Sequence, residues 1–275
     1  MNLFDIRRVL KRYLTFGFDR APLIPPFAKR SVFDVPEMGH WYHPVMLGPS
    51  TVGHLAIGSA DLRQVIAILE HLESDDYVRY LLAYYRTGLE RYGDAWRYAD
   101  ILTVLLAAAQ LIQPQSYLEI GVRRGRSMSV VAATCPACKI VGIDMWVPNY
   151  AGVPNPGPDF VRTEMAKLGH TGQLDLISGN SHNLLPHYFR QHPDTFFDLI
   201  TVDGDHSKQG AIQDLKDVLP RLTIGGVLVF DDISHPAHPY LRDVWNTTVC
   251  SDSRFVTWEF SELGYGVAIA IRKEA

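Results

Sequence analysis

From residue 115 onward the chain alternates short, nearly unbroken apolar runs with stretches of helical periodicity, and few architectures accept that rhythm. The runs occupy 117–122, 140–145, 174–178, 197–202 and 227–230, and helical patterns fill 127–133, 160–168, 184–191 and 209–222. A strand that is apolar on both faces must be covered on both, which a parallel sheet with helices above and below achieves. The tail changes character: 255–260, a Leu-Gly-Tyr-Gly turn and 267–271 read as an antiparallel hairpin. The expected fold is therefore α/β: a doubly wound, mostly parallel, seven-stranded sheet closed by a terminal antiparallel hairpin. Ligands on such sheets bind at the carboxyl ends of the strands, so the loops after each run are where chemistry belongs.

Before residue 115 helical spacing dominates. Positions 61–71 put Leu62, Val65, Ile66 and Leu69 on one face, with Ser59 as a candidate N-cap. Positions 77–91 repeat Tyr, Leu and Arg at helical intervals, and 99–111 is apolar enough to be buried. Segment 21–58 is rich in Pro, Gly, His and aromatics and reads as ordered but irregular, because disordered linkers rarely carry so many aromatics. Two units follow: a helical and irregular N-terminal region, 1–95, serving as a lid or as a contact in a homo-oligomer, and a ligand-binding domain, 96–275.

Composition narrows the class further. With 47% hydrophobic and 20% charged residues over 275 positions, disordered, collagen-like and coiled-coil chains are excluded, and a core can form without disulfides or metals. A net charge of -4 argues against a general nucleic-acid binder, which needs a basic surplus for the phosphates. Three cysteines, an odd and small number, fit a reducing, cytoplasmic compartment. No apolar run reaches the ~18 residues of a membrane span. The opening MNLFDIRRVLKRYLTF mixes basic with apolar positions, unlike a signal peptide. Its Arg7, Arg8, Lys11 and Arg12 suit a solvated helix face, or else contact with a membrane or an acidic partner.

The loop after the first run reads Glu119-Ile-Gly121-Val-Arg-Arg-Gly125-Arg-Ser127. Glycine lets a backbone turn sharply and lie against a ligand, and a carboxylate just before it accepts hydrogen bonds from a ligand amine or hydroxyl. The dinucleotide fingerprint fails, since Arg123 and Arg126 stand where its second and third glycines belong. The spacing suits a small cofactor without a pyrophosphate, although an ordinary strand-to-helix turn accounts for the same residues. Asp144 ends the second run, ~20 residues beyond the glycines, where nucleoside-binding sheets keep an acid for ribose hydroxyls. The alternative is an exposed turn aspartate. Asn180 and Ser181 follow the third run and either border an adenine ring or cap a helix.

The fourth run leads into Asp203-Gly-Asp205-His206 and the fifth into Asp231-Asp232. If these strands are neighbours, Asp203, Asp231 and Asp232 converge, and crowded carboxylates repel unless a cation offsets them. Oxygen ligands without a thiolate favour Mg²⁺ over Ca²⁺ or Mn²⁺. Helix caps and solvated aspartates are the plainer alternative. His206 is placed for general-base work, its unperturbed pKa lying near ~6.5. Cys135-Pro-Ala-Cys138 has only Cys250 to complete a zinc tetrahedron and reads as two buried small residues, while His235-Pro-Ala-His238 reads as rim.

The runs LEIGVRRGRS, VGIDMW and FDLITVDGDHSKQGAIQDLKDVLPRLTIGGVLVFDD together resemble the class I S-adenosylmethionine (SAM) methyltransferases. The nearest branch is the small-molecule O-methyltransferases of the macrolide-sugar and cephalosporin-biosynthesis type, over 95–272. The resemblance implies that Glu119, Gly121, Gly125, Arg126 and Ser127 hold the methionine part of SAM, Asp144 the ribose, and Asn180 and Ser181 the adenine side. It implies Mg²⁺ on Asp203, Asp231 and Asp232, His206 as the base, and Asp203 both beside it in catalysis and in contact with the cofactor. Arg123 departs from the family, many members of which have Gly there.

The expected reaction is methyl transfer from SAM to a hydroxyl of a small-molecule acceptor, a sugar or a natural product, with alignment and deprotonation as the protein's tasks. Segment 147–158 and the irregular 21–58 are candidate lids. Competing readings are an NAD-linked oxidoreductase, which the missing glycines oppose, a non-catalytic SAM-fold scaffold, and an iron hydroxylase, which would need a 2-His-1-carboxylate site.

Overall fold

A computed structural model describes residues 31–33 and 44–274. The basic positions at Arg7, Arg8, Lys11 and Arg12 and most of segment 21–58 lie outside the described residues. In chain order the elements are α1 (Pro49–Ala56), α2 (Ser59–Leu69), α3 (Asp76–Tyr92), α4 (Ile101–Ile112), β1 (Ser116–Ile120), α5 (Arg126–Thr134), β2 (Lys139–Asp144), α6 (Pro158–Lys167) and β3 (Leu174–Ser178). Then come α7 (Ser181–Gln191), β4 (Phe197–Val202), α8 (Lys208–Val218), β5 (Leu222–Asp231), α9 (Leu241–Trp245), β6 (Phe255–Phe260) and β7 (Val267–Arg272).

The seven strands form one sheet in the order β3-β2-β1-β4-β5-β7-β6. Strands β1 to β5 pair in parallel, and β7 runs antiparallel to both β5 and β6. This is the doubly wound sheet with a terminal antiparallel hairpin that the alternation predicts. Chain order reverses between β1 and β4, which makes that seam the topological switch point where such sheets bind ligands.

Side chains alternate across the sheet with a period of two, and two cores result. Tyr117, Ile140, Leu199, Val227, Val229 and Ile269 pack with α1 to α5 on one face. Leu118, Ile120, Val141, Ile200, Leu228 and Phe230 pack with residues of α7, α8 and α9 on the other. Helix α4 sits in the first core with nine buried residues, and its start is closed by a capping box between Asp100 and Thr103. Asp100 also accepts a hydrogen bond from the Tyr85 hydroxyl, so the cap ties α3 to α4.

Several local expectations shift. Residues 49–56 are helical although they fall in the stretch read as irregular, with Pro49 at the first helical position, where its missing N–H costs nothing. Gly53 allows the Trp258 indole of β6 to lie against that helix, since a Cβ there would come within 2.4 Å of the ring. Gly58, not Ser59, is the N-cap of α2, and the Ser59 hydroxyl donates instead to Asp94 at 2.7 Å. The helix expected to reach 222 stops at Val218, as Pro220 follows in a 3-10 turn, and β5 starts five residues before the expected 227. Helix α9 carries no regular apolar period and was not foreseen. Cys135 and Cys138 are both buried, as expected. Among the described residues no single helix is long and apolar enough to cross a membrane.

Asp61, in the first turn of α2, is 6% exposed, and one of its oxygens has no hydrogen-bond partner. Burial pushes its pKa up to about 6. The folded value lies above the unfolded ~3.9, so its favourable contribution exists while the carboxyl is protonated and is lost as pH rises through 6. Asp61→Asn is therefore expected to raise Tm relative to wild type at pH 8 and hardly at all at pH 4. An equal gain at both pH values in thermal melts would contradict this.

Candidate active site

The β1–β4 seam opens into a cleft of about 1220 Å³. A single drug-sized ligand occupies ~300–1,000 Å³, so two small molecules fit side by side. The glycine loop forms its floor. β1 ends at Ile120 because Gly121 turns into the left-handed region at φ 91°, and the chain re-enters helix through Gly125 at φ 76°. Gly121 lies against the end of β4: a Cβ there would sit 1.9 Å from the Asp203 carbonyl oxygen. Only a residue without a side chain permits that approach.

The sequence-derived donor residues divide into those that line the cleft and one that supports them. Gly121, Arg126, Ser127, Asp144, Asn180 and Ser181 all line it. Glu119 does not. It is fully buried beneath the loop, its carboxylate accepting from the Ser127 hydroxyl and, at 2.8 Å, from the Tyr117 hydroxyl. Burial, partly offset by those two hydrogen bonds, pushes its pKa up to about 8. Gly125 is likewise buried behind the wall and serves as the turn before α5. Asp144 accepts from the backbone N–H of Arg123 at 2.7 Å and from that of Trp146, so the acid ending β2 pins the glycine loop while facing the cleft. Asn180 caps α7 by accepting from the His182 N–H at 2.8 Å, and the Ser181 hydroxyl donates to Asp214 at 2.7 Å.

The acidic residues meet as neighbouring strands dictate, with one change. Asp203, His206 and Asp232 each bring a ligand atom within 4.8 Å of the others. His206 Nε2 lies 3.0 Å from Asp232 Oδ2 and 3.4 Å from Asp203 Oδ1. Asp231, the last residue of β5, also lines the cleft but lies outside that triad. Its charge is felt instead by Tyr77, whose hydroxyl burial and then Asp231 push up to about 12. Desolvation and the neighbouring Asp203 and Asp232 hold the Asp231 carboxyl well above the carboxylate range. For His206, desolvation pulls the pKa down, but hydrogen bonds and charge from Asp203 and Asp232 outweigh it and push it up to about 11. Asp232 adopts φ 63°, a conformation that aspartate tolerates better than most residues, and this turns it toward His206.

The remaining wall was not visible in the sequence motifs. Tyr77, Tyr80 and Tyr84 of α3, with Tyr98 and Tyr265, line the cleft, and the first three stack at 6.4 Å centroid spacing. Their i, i+3, i+7 spacing was the available signal. His235 and His238, expected at the rim, line the same cleft, the His238 ring centred 5.1 Å from that of His206. In segment 147–158, Val147, Tyr150, Val153 and Asn155 border it, and Arg123 donates to the Tyr150 carbonyl at 2.8 Å.

Residues 118–233 match the family model described as a methyltransferase domain, and that span holds the glycine loop, Asp144 and the acidic triad. Over that span the chain resembles a methyltransferase domain. Solved structures share its fold. TomG, an O-methyltransferase of Streptomyces achromogenes in complex with SAM, is 19% identical, with 79% of this chain and 97% of that one covered, at TM-score 0.53. CalS11, described as a TDP-rhamnose 3'-O-methyltransferase, is 22% identical over 78% and 93%, at TM-score 0.50. An O-methyltransferase of Bacillus cereus in complex with S-adenosylhomocysteine (SAH) is 15% identical over 78% and 91%, at TM-score 0.50. No curated protein matches the sequence.

The Gly121 contact is a direct test of the site. Gly121→Ala combines an unfavourable φ with an overlap of Cβ on carbonyl oxygen, together costing about 2–6 kcal/mol. The expected result is a lowered Tm and loss of SAH binding in calorimetry; a variant as stable as wild type would show the loop to be looser than described.

Proposed function

We propose that the domain transfers the methyl group of SAM to a hydroxyl oxygen of a small molecule, a sugar or another natural product, with Mg²⁺ assistance and His206 as the base. The observation that carries this reading is the convergence of Asp203, His206 and Asp232 on the cleft wall beside the glycine loop. CalS11, a TDP-rhamnose 3'-O-methyltransferase, and TomG, involved in tomaymycin synthesis, support the acceptor class. In this reading Gly121, Arg126 and Ser127 meet the methionine part, with Glu119 and Gly125 shaping the loop beneath; Asp144 meets the ribose, and Asn180 and Ser181 border the adenine.

The carboxylate oxygens of Asp203 and Asp232, with no thiolate among them, fit a hard divalent ion. Asp203 and Asp232 would hold it, with Asp231 adjacent; a bound cation supplies charge that stabilises an alkoxide and neutralises the carboxylates that now keep His206 protonated. The chain's own tasks are then clear. The loop orients the donor, the Tyr77–Tyr80–Tyr84 wall and the 147–158 segment exclude water, and His206 Nε2 takes the acceptor's proton. Alignment of this sort supplies up to ~7–11 kcal/mol, and a positioned base ~10²–10⁴-fold. Buried Cys138 and the low cysteine count support a reducing, cytoplasmic setting.

The reading is tested by following SAM conversion to SAH with a panel of sugar and phenolic hydroxyl acceptors, with Mg²⁺ or with EDTA. Turnover is expected only with a hydroxyl acceptor and is expected to fall on chelation and return with Mg²⁺. Metal-independent turnover would remove the ion from the mechanism. His206→Ala is expected to lower kcat by about 10²–10⁴-fold with little change in SAH affinity. Asp144→Asn is expected to do the reverse, weakening SAH; undiminished affinity would take the ribose role from Asp144.

A further inference from the structure

Asp75 belongs to the N-terminal region, yet its side chain ends at the donor loop. It caps α3 by accepting from the Val78 N–H at 2.7 Å. The same carboxylate pairs with Arg126 at 2.7 Å and with Arg124 Nε at 2.9 Å. All three side chains are nearly enclosed, Asp75 at 11%, Arg126 at 10% and Arg124 at 6% exposure. Their neighbourhood holds two guanidinium charges against one enclosed carboxylate, since Glu73, 3.4 Å from Arg124, is mostly exposed. One positive charge is left without an enclosed counterpart.

Arg126 is where that surplus faces the cleft. It opens α5 directly after the Gly125 turn, it lines the cleft, and its Nε has no hydrogen-bond partner although the side chain is nine-tenths buried. The Tyr77 ring covers the guanidinium at 4.7 Å and Asp75 holds its far nitrogen, so few rotamers remain open to it. A fixed guanidinium with a spare N–H at a helix N-terminus is suited to a carboxylate. The amino-acid tail of SAM carries one.

We infer that Asp75 is a positioning residue for the methyl donor: it holds Arg126 so that the free guanidinium edge meets the donor's carboxylate. This rests on the assignment of Arg126 to the methionine part of SAM. The N-terminal region then contributes to donor binding, and 1–95 is not a separable lid. Arg124 extends the link, donating to the Pro154 carbonyl at 3.3 Å, so the same aspartate is connected to the segment bordering the cleft mouth.

The test compares two ligands on the full chain by calorimetry: SAH, which has the carboxylate, and 5′-methylthioadenosine, which lacks the whole amino-acid tail. Asp75→Asn keeps a good capping residue while removing the charge. It is expected to weaken SAH about tenfold, as loss of one well-aligned charged hydrogen bond does, and to leave 5′-methylthioadenosine unchanged. Asp75→Ser, also a capping residue, serves if the Asn variant does not fold. In an Arg126→Gln background the Asp75 substitution is expected to add nothing further, because both act through one contact. Unchanged SAH affinity, equal losses for both ligands, or a full additional loss in the Arg126→Gln background each overturns the proposal. A wild-type chain that binds 5′-methylthioadenosine but gains nothing from the carboxylate of SAH overturns it as well. A wild-type chain that binds neither ligand overturns the donor assignment itself, which is a different result.

Discussion

The approach of Gly121 to the Asp203 carbonyl is the contact around which the site is arranged. Parallel pairing of β1 with β4 sets Ile120 opposite Val202, so the residues that follow leave the sheet side by side. Chain order diverges there, and a cleft is left at the crest. Any Cβ at 121 would force the two loops apart, and the donor floor and acidic wall would no longer share one space. The Asp144 contact to the Arg123 N–H and the Glu119 contact to Ser127 then hold the loop from the side and from below.

The cleft lining is rich in charge. Arg123 and Arg126 line it together with the acids Asp144, Asp203, Asp231 and Asp232. Within the acidic wall, His206 bridges two carboxylates that would otherwise repel each other, which is the condition that makes a cation attractive there. The third carboxylate, Asp231, ends β5 beside them and also lines the cleft.

Much of this was legible from residue order. The five apolar runs and the terminal hairpin appear as strands in the expected sequence, because strands covered on both faces leave an unbroken apolar signature. The Glu-x-Gly-x-x-x-Gly turn, Asp144 and the Asp203, His206, Asp232 set follow from it, since each lies just past a strand's carboxyl end. Less legible were the elements whose pattern is set by distant packing. Residues 49–56 form a helix because Gly53 admits Trp258 from the far edge strand, a partner some two hundred positions away. Ser59 looked like a cap but is taken by Asp94, and Glu119 looked like a ligand contact but is sealed under its own loop.

Sequence alone therefore determined the layer architecture, the sites of the loops and the residue types offered to a donor and a cation, because those depend on local periodicity and on which residue ends each strand. Tertiary structure decided which of those side chains share a space. Only the fold brings Asp75 of the N-terminal helices onto Arg126, lines the cleft with α3 tyrosines, and separates Asp231 from its neighbour Asp232. The reason is physical: periodicity is written in neighbours along the chain, whereas enclosure and charge pairing arise between segments that meet only when the sheet is assembled.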